Sequence, residues 1–159
     1  MNEKCRVIRL ASDADTDGIL ACLRSAFRPY ERSYTSAAYE DTVLTRESLH
    51  ARLEAMSIFV AVTDEGAIAG TIACQVLDEG EGHLRGMAVD PEWHGRGIAQ
   101  QLLERAESEL QARKCHRITL DTTEYLERAI RFYERNGYRR SGKIRDFFGM
   151  AIHEYVKQV

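Results

Sequence analysis

The sequence has few of the residues that form disulfide frameworks or metal centres. Its 159 residues include only four cysteines, Cys5, Cys22, Cys74 and Cys115, and no two of them form a Cys-x-x-Cys pair. The five histidines are also scattered along the chain. Isolated cysteines of this kind are more typical of reduced, half-buried thiols than of disulfides or zinc ligands. We therefore expect neither disulfides nor a metal site.

Long apolar runs and excess positive charge are absent as well. No apolar run approaches the length of a membrane span, and residues 1–10 lack the apolar core of a signal peptide. A net charge of −3 gives no general attraction to nucleic acid or to anionic membranes. We expect a cytoplasmic protein that has neither nucleic acid nor a membrane as a partner.

The composition and the hydrophobic pattern indicate one α/β domain that spans residues 1–159. The hydrophobic content of 44% and the charged content of 30% are ordinary for a soluble globular protein. The pattern predicts one strand, two helices, three antiparallel strands, a helix, a strand, a helix and two final strands. Residues 84–120 form the only predicted parallel crossover. Residues 28–42, which are aromatic and polar with weak periodicity, are predicted to form a mobile loop that has room for helical turns.

The segment HGRGIA, residues 94–99, lies between Pro91 and a predicted amphipathic helix. Its two glycines let the backbone approach a ligand without a Cβ clash, and Arg96 adds positive charge. The N–H groups at the start of a helix, together with the helix dipole, are suited to binding phosphate. The segment therefore predicts a site for a phosphorylated cofactor.

Three interpretations of this segment compete while it is considered alone. A Walker loop is excluded because the sequence has no Gly-Lys-Ser/Thr at this point. Gly95 and Gly97, with Asp121 at the end of the next predicted strand, partly match the dinucleotide fingerprint of a nicotinamide-dependent oxidoreductase. However, five residues separate Val89 from Gly95, which is too many for the tight turn of that fingerprint. A plain helix entry, with glycines that serve only the turn, is the third interpretation.

The residues around the segment resemble the cofactor-binding motif of the GNAT N-acetyltransferase superfamily. Residues 87–110, MAVDPEWHGRGIAQQLLERAESEL, match its strand, its Pro turn and its Arg/Gln-x-x-Gly-x-Gly/Ala helix entry. His94 departs from that pattern, because Arg or Gln is usual there. Residues 129–138, AIRFYERNGY, resemble a second motif of the family, although Leu126 stands where many relatives have Asn.

The resemblance implies an α/β (α+β) fold of the GNAT type. This fold has a mixed, partly antiparallel central sheet of about seven strands, flanked by about four helices, and the sheet splays beside the strand that contains Met87. The resemblance also implies acetyl-CoA as cofactor and acetyl donor, with its pyrophosphate on the start of the helix. An amide of Met87 or Val89 would polarise the thioester carbonyl. The residues that would bind the cofactor are Met87, Ala88, Val89, His94, Gly95, Arg96, Gly97, Ile98, Ala99, Gln100 and Leu126.

Two side chains are candidates for proton transfer. By the resemblance, the Tyr133 hydroxyl would lie near the cofactor sulfur and protonate the departing thiolate, although its spacing from Ala129 also fits simple packing. The acceptor, a primary amine with a pKa of about 10, must lose a proton before it attacks. His83 is the candidate base because its ordinary pKa suits that task. The alternatives are a chain of water molecules or one of the carboxylates of Asp78, Glu79, Glu81 and Asp121.

The acceptor amine is expected to bind between residues 28–41 and residues 145–148. Tyr30, Tyr34 and Phe147 could form the walls of an amine pocket, and Glu31 or Asp41 could attract a cation. The expected function is transfer of an acetyl group from acetyl-CoA to a primary amine, in a complex that holds both substrates. A non-catalytic module that binds CoA is the alternative. The family often forms homodimers, but no feature of this sequence specifies an interface.

Overall fold

A computed structural model describes residues 5–159, and the side chains from Val7 onward. Residues 1–4 of the predicted domain lie outside the described residues. Seven strands form one sheet in the order β1-β2-β3-β4-β5-β7-β6. The strands are β1 Cys5–Leu10, β2 Ser57–Thr63, β3 Ile68–Asp78, β4 Glu81–Val89, β5 Arg117–Thr122, β6 Arg139–Phe147 and β7 Met150–Gln158. The α-helices are α1 Thr16–Phe27, α2 Ser36–Val43, α3 Arg46–Ala55, α4 Ile98–Ala112 and α5 Glu127–Arg135.

The strand pairing confirms a mixed sheet. Strands β1 to β4 form an antiparallel meander, and β5, β7 and β6 are antiparallel to one another. Only β4 and β5 pair in parallel, and α4 is the crossover that connects them. This topology excludes the doubly wound parallel sheet that a dinucleotide fingerprint requires. The two-glycine segment therefore belongs to a different kind of fold.

Both faces of the sheet are covered, so β2 is buried on both sides. Phe59 and Ala61 point into a core that includes α4, whereas Ile58 and Val60 point into a second core that includes α1. This alternation follows from the two-residue period of a strand. Helix α4 packs closely because β3 has a glycine beneath it. A Cβ at Gly70 would lie 2.9 Å from a methyl group of Leu102.

The prediction of a mobile loop over residues 28–42 was wrong, although its allowance for helical turns was confirmed. Residues 28–33 form a 3-10 helix, and α2 follows directly. Thr35 caps α2, because its side chain accepts a hydrogen bond from Ala38 N–H. Only two side chains of α2 are buried, Ala38 and Val43, which explains the weak periodicity of this segment. The structure therefore has five α-helices where about four were expected.

The hydrophobic pattern predicts final strands over residues 138–144 and 148–156, joined through residues 145–147, and these boundaries were wrong. Strand β6 continues through Phe147, and Phe148-Gly149 forms the turn, so residues 145–147 are not the connection. Phe148 has a φ of 49° and Gly149 a φ of 90°. Two successive positive φ values are typical of a two-residue hairpin turn. None of the helices in residues 5–159 is long and apolar enough to cross a membrane.

Candidate active site

The sheet opens beside the second half of β4. The parallel pairing of β4 with β5 ends at Leu84 and Leu120, whereas the pairing of β4 with β3 continues to Val89. The β3 register shifts just after Arg85, where Gly86 has a φ of 62°. A bulge of this kind bends a strand and increases its twist. Beyond Leu84, therefore, β4 has a strand neighbour on one side only.

Backbone groups of β4 face this opening. The N–H of Asp90 donates a hydrogen bond of 2.8 Å to the Ala69 carbonyl on the β3 side. Because N–H directions alternate along a strand, the N–H and C=O of Val89 point away from β3 and toward the opening. The Val89 carbonyl accepts a hydrogen bond from His94 Nε2 at 3.1 Å. His94 thus ties the loop to the end of β4 through its side chain.

The two glycines of the loop hold conformations that favour glycine. Gly95 has a φ of 76°, and Gly97, the N-cap of α4, has a φ of 77°. A Cβ at either position would meet no heavy atom within 4 Å, so both positions border open space. The first turn of α4 presents N–H groups that have no carbonyl partner within the helix. The loop and the first turn of α4 together present a set of backbone N–H donors, which we call the cradle.

A cavity of about 480 Å³ lies in front of this cradle, and we call it the loop cavity. It is lined by β4, the loop, the start of α4 and one side of α5. The predicted cofactor residues that line it are Met87, Ala88, Val89, His94, Gly95, Gly97, Ile98, Ala99, Gln100 and Leu126. Arg96 is the exception, because its guanidinium stacks over the Trp93 ring at 4.5 Å. The Gln100 amide bonds to Asn136 Oδ1 at 2.9 Å, which links α4 to the end of α5.

A second cavity, of about 460 Å³, lies on the other side of the opening, and we call it the hairpin cavity. Its walls come from β4, the end of β5, the β6–β7 hairpin, α2 and α3. Thr35 Oγ1 donates a hydrogen bond of 2.7 Å to the Phe148 carbonyl, which ties the start of α2 to the hairpin tip. Of the three residues predicted to wall an amine pocket, Tyr34 and Phe147 line this cavity, whereas Tyr30 lines the loop cavity.

The two cavities meet at a small set of shared residues. Those that line both are Phe27, Met87, Leu126, Ala129 and Tyr133. The Tyr133 ring is buried and makes edge contacts with Phe132 and Tyr138, with centroids 5.5 and 5.8 Å away. Burial raises the pKa of the Tyr133 hydroxyl, which therefore stays protonated at neutral pH. The Tyr133 side chain thus lies at the junction of the two cavities.

His83 lies in the hairpin cavity, and its side chain is only 13% exposed. Its Nδ1 lies 2.8 Å from Thr119 Oγ1, and that hydroxyl donates to the Gly82 carbonyl at 3.4 Å. Because Thr119 uses its one proton on Gly82, the neutral imidazole is assigned with its proton on Nδ1. The lone pair is then on Nε2, which lies 3.9 Å from Asp121 Oδ2. Sequence reasoning did not identify Thr119, which lies 36 positions from His83.

Burial lowers the pKa of His83 from its ordinary value of 6.5. Arg85 and Arg145 lower it further, while the carboxylates of Asp121 and Glu154 oppose the shift. The imidazole is therefore mainly neutral at pH 7 and can accept a proton. Among the residues described here, no group of three or more His, Cys, Asp or Glu side chains has an arrangement that could hold a metal ion.

Two acidic residues that line the hairpin cavity, Asp41 and Asp121, are paired with arginines. Arg145 Nη1 lies 3.8 Å from Asp121 Oδ2, and its Nη2 lies 3.2 Å from the buried carboxylate of Glu154. Asp41 Oδ2 accepts a hydrogen bond of 2.6 Å from Arg85 Nη2. The expected cation-attracting role of Asp41 is thereby weakened, because its charge is already balanced. Glu31 does not line either cavity.

Solved structures of acetyltransferases share this fold. PaiA N-acetyltransferase from Thermoplasma acidophilum, solved with coenzyme A, matches with a TM-score of 0.83 at 16% identity over 100% of each chain. A GNAT-family acetyltransferase from Staphylococcus aureus Mu50 gives 0.76 at 20% identity, covering 96% of this chain and 98% of that chain. The ribosomal-protein-S18-alanine N-acetyltransferase of Escherichia coli gives 0.75 at 19% identity, with coverages of 96% and 93%. These similarities confirm the expected fold class.

The sequence itself also matches this class. A sequence model of the Acetyltransferase (GNAT) family matches residues 19–138, which is more than half of the chain, and the protein belongs to that family. Acetyl-CoA-dependent acetyl transfer is general for the family, so the protein is an acyltransferase that uses acetyl-CoA as donor. The matched region contains the loop, His83 and Tyr133.

Proposed function

We propose that the protein is an N-acetyltransferase that transfers an acetyl group from acetyl-CoA to a primary amine in a ternary complex. The opening between β4 and β5 is the observation that carries this proposal. It joins the loop cavity to the hairpin cavity at Met87 and Tyr133. Donor and acceptor can therefore enter from opposite sides and meet at one place.

The loop cavity fits coenzyme A. The N–H groups from Gly95 to Gln100 and the positive end of α4 would hold the pyrophosphate. A Cβ at Gly95 or Gly97 would project into the open space that the pyrophosphate would approach, so glycine suits both positions for access as well as for conformation. The outward-facing backbone of Val89 would pair with the amides of pantetheine. When bound, acetyl-CoA supplies the activated acetyl thioester.

His83 is proposed as the general base. An ammonium group does not attack a thioester, so the acceptor must lose a proton to a group in the hairpin cavity. The Nε2 lone pair of His83 is available for that proton, because Nδ1 is committed to Thr119. Asp121, which lies 3.9 Å from Nε2, would stabilise the imidazolium that forms.

Tyr133 is proposed as the group that protonates the departing thiolate. Its hydroxyl stays protonated because burial raises its pKa, and its ring lines both cavities. A packing role alone would not require the ring to border both cavities. The Tyr133 side chain therefore packs in the core and also lines the junction of the two cavities.

The described cysteines support direct transfer over an acyl-enzyme. Cys22, Cys74 and Cys115 are buried, and none of them lines either cavity. Burial raises the pKa of the Cys22 thiol to about 12 and that of Cys74 to about 11. Thiols of this kind are mainly protonated at neutral pH and react poorly as nucleophiles.

Release of free thiol from acetyl-CoA tests the proposed function. We expect release that depends on an added primary amine and that accompanies formation of the acetylated amine. Coenzyme A binding without amine-dependent release, across a panel of amino acids, polyamines, aromatic amines and peptides, would contradict the proposal.

A further inference from the structure

Arg52 of α3 is a charged residue that lines the hairpin cavity and has no part in the proposed transfer step. Its side chain is half-buried and lines the cavity. Its Nη1 lies 2.8 Å from the place where a Cβ on Gly86 would stand, one residue before Met87. The guanidinium is therefore placed against the β4 bulge, close to the junction of the two cavities.

The charges around Arg52 leave one positive charge without a counterion. Arg52 and Arg85 lie close enough to influence each other, and they share a single carboxylate, Asp41, which is hydrogen-bonded to Arg85. Burial, followed by the neighbouring Arg85, lowers the pKa of Arg52 to about 10, although Asp41 acts in the opposite direction. Within residues 7–159, no oxygen atom accepts a hydrogen bond from the Arg52 guanidinium. A buried arginine normally has such a partner.

The opposite wall of the cavity carries acidic side chains. There the Arg145 guanidinium faces the carboxylates of Asp121 and Glu154, and Glu154 also pairs with Arg117 at 3.6 Å. His83 lies two residues before Arg85 on β4, and its Nε2 lies 3.9 Å from Asp121 Oδ2. The hairpin cavity thus has a basic group at α3 and acidic side chains, Asp121 and Asp146, on β5 and β6, with the proposed base beside Asp121.

A large part of the cavity wall is apolar and aromatic, beside the polar side chains of Thr42, Gln75, Thr122, Thr123 and Asp146. The residues that provide this apolar part are Phe27, Tyr34, Leu77, Phe147, Met150 and Ile152. They favour a hydrophobic side chain on the acceptor. A polyamine, which has only positive charges and a slender chain, would leave both Arg52 and this apolar surface unmatched.

We propose that the acceptor is a free α-amino acid with an apolar or aromatic side chain, and that Arg52 binds its carboxylate. The ammonium group would face Asp121 beside His83, which removes one proton from the nitrogen. The nitrogen then forms a bond to the acetyl carbon, the carbon–sulfur bond breaks, and Tyr133 protonates the sulfur. The second proton of the nitrogen passes through water to the Tyr133 oxygen, and His83 releases its proton to solvent. The products are an N-acetyl amino acid and free CoA. This inference rests on the proposed function for the direction of transfer.

Paired ligands that differ only by the carboxylate test the inference without requiring turnover. The probes are N-acetyl-L-phenylalanine and N-acetylphenethylamine, titrated by calorimetry into the CoA-loaded protein. We expect the carboxylate to improve affinity about tenfold or more, because a hydrogen-bonded guanidinium–carboxylate pair would form in a partly buried site. Equal affinities, or tighter binding of N-acetylphenethylamine, would overturn the inference.

Variants on the same helix show whether Arg52 is responsible. Arg52→Gln should reduce the affinity ratio to near one, and Arg52→Lys should retain part of it. Arg46→Gln is the matched control, because Arg46 forms an exposed ion pair with Asp17, away from the cavity. An unchanged ratio in Arg52→Gln would refute the role of Arg52. Thiol release with phenylalanine and phenethylamine, measured separately, shows whether transfer itself fails, so the two proposals can fail independently.

Discussion

The loop cavity and the hairpin cavity have similar volumes, about 480 and 460 Å³, but the chain builds them differently. The loop cavity is formed mainly by two continuous segments, residues 87–100 and 126–136, and its binding groups are largely backbone N–H and C=O groups. The hairpin cavity brings together side chains from α1, α2, α3, α5 and five strands. We therefore expect backbone geometry to govern donor binding and side-chain charges to govern acceptor binding. Substitutions should affect one cavity or the other, except at the junction.

The largest effect is expected at the junction, where Tyr133→Phe removes only the hydroxyl. We expect kcat to fall about 100-fold or more, because the thiolate would lose its proton donor. Coenzyme A affinity should change little, since the ring is retained. Steady-state kinetics together with CoA titration would measure both quantities.

Tyr138→Phe is the matched control for that substitution. The Tyr138 hydroxyl donates a hydrogen bond of 2.8 Å to Glu107 and does not line either cavity. This variant should lose about 1–2 kcal/mol of stability and keep its turnover. An unaltered rate in Tyr133→Phe would show that Tyr133 only packs, and the two cavities would then lack a shared proton donor.

The next largest effect is expected at His83, in the hairpin cavity, and should be confined to reaction of the acceptor. Because the folded protein lowers the pKa of His83, kcat/KM should stay level down to about pH 6.5 and fall only at lower pH. kcat/KM falls at low pH because protonation of Nε2 removes the lone pair that accepts the proton of the amine. His83→Gln should lower kcat/KM at neutral pH about 100-fold and abolish its decrease at low pH. A decline that persists unchanged in this variant would assign the titration to another group.

A smaller effect should be confined to the donor side. Gly97→Val places a β-branched residue at a φ of 77°, which strains the cradle, and its side chain would enter the cavity. We expect CoA affinity to fall about tenfold or more while acceptor-product binding changes little. Gly66→Val is the control, since Gly66 has a φ of 86° and open surroundings in the β2–β3 turn. If both variants bind CoA equally, the glycine loop is not the phosphate cradle.

The smallest effect should come from the contact between α2 and the hairpin tip. Thr35→Ala removes the N-cap of α2 and the hydrogen bond to the Phe148 carbonyl, at a cost of about 1 kcal/mol. We expect a modest rise in acceptor KM without a change in CoA affinity, because the hairpin forms part of the acceptor cavity only. A larger effect on CoA than on the acceptor would contradict the separation of the two cavities.

The contrast between the cavities also explains what could be predicted from the sequence. The glycine spacing, the Pro91 turn and the amphipathic start of α4 are local features, and all predicted cofactor residues except Arg96 line the loop cavity. The parallel crossover was predicted for the same reason. Local patterns are informative where a site is built from consecutive residues.

The hairpin cavity could be predicted only in part. His83 was selected for its ordinary pKa, but nothing in the sequence placed Thr119 beside it or Arg52 beside Gly86. These contacts depend on strand pairing and on the packing of α3, which join positions far apart in the chain. The wrong prediction for residues 28–42 has a similar cause, because the hairpin tip anchors α2.

A crystal structure with coenzyme A would test the central claim, that the two cavities form one active site at Tyr133. We expect the pyrophosphate to bind the N–H groups of residues 95–100. The sulfur should lie at the junction, within about 4 Å of the Tyr133 hydroxyl. A sulfur atom located away from Met87 and Tyr133, or a pyrophosphate bound elsewhere, would contradict it.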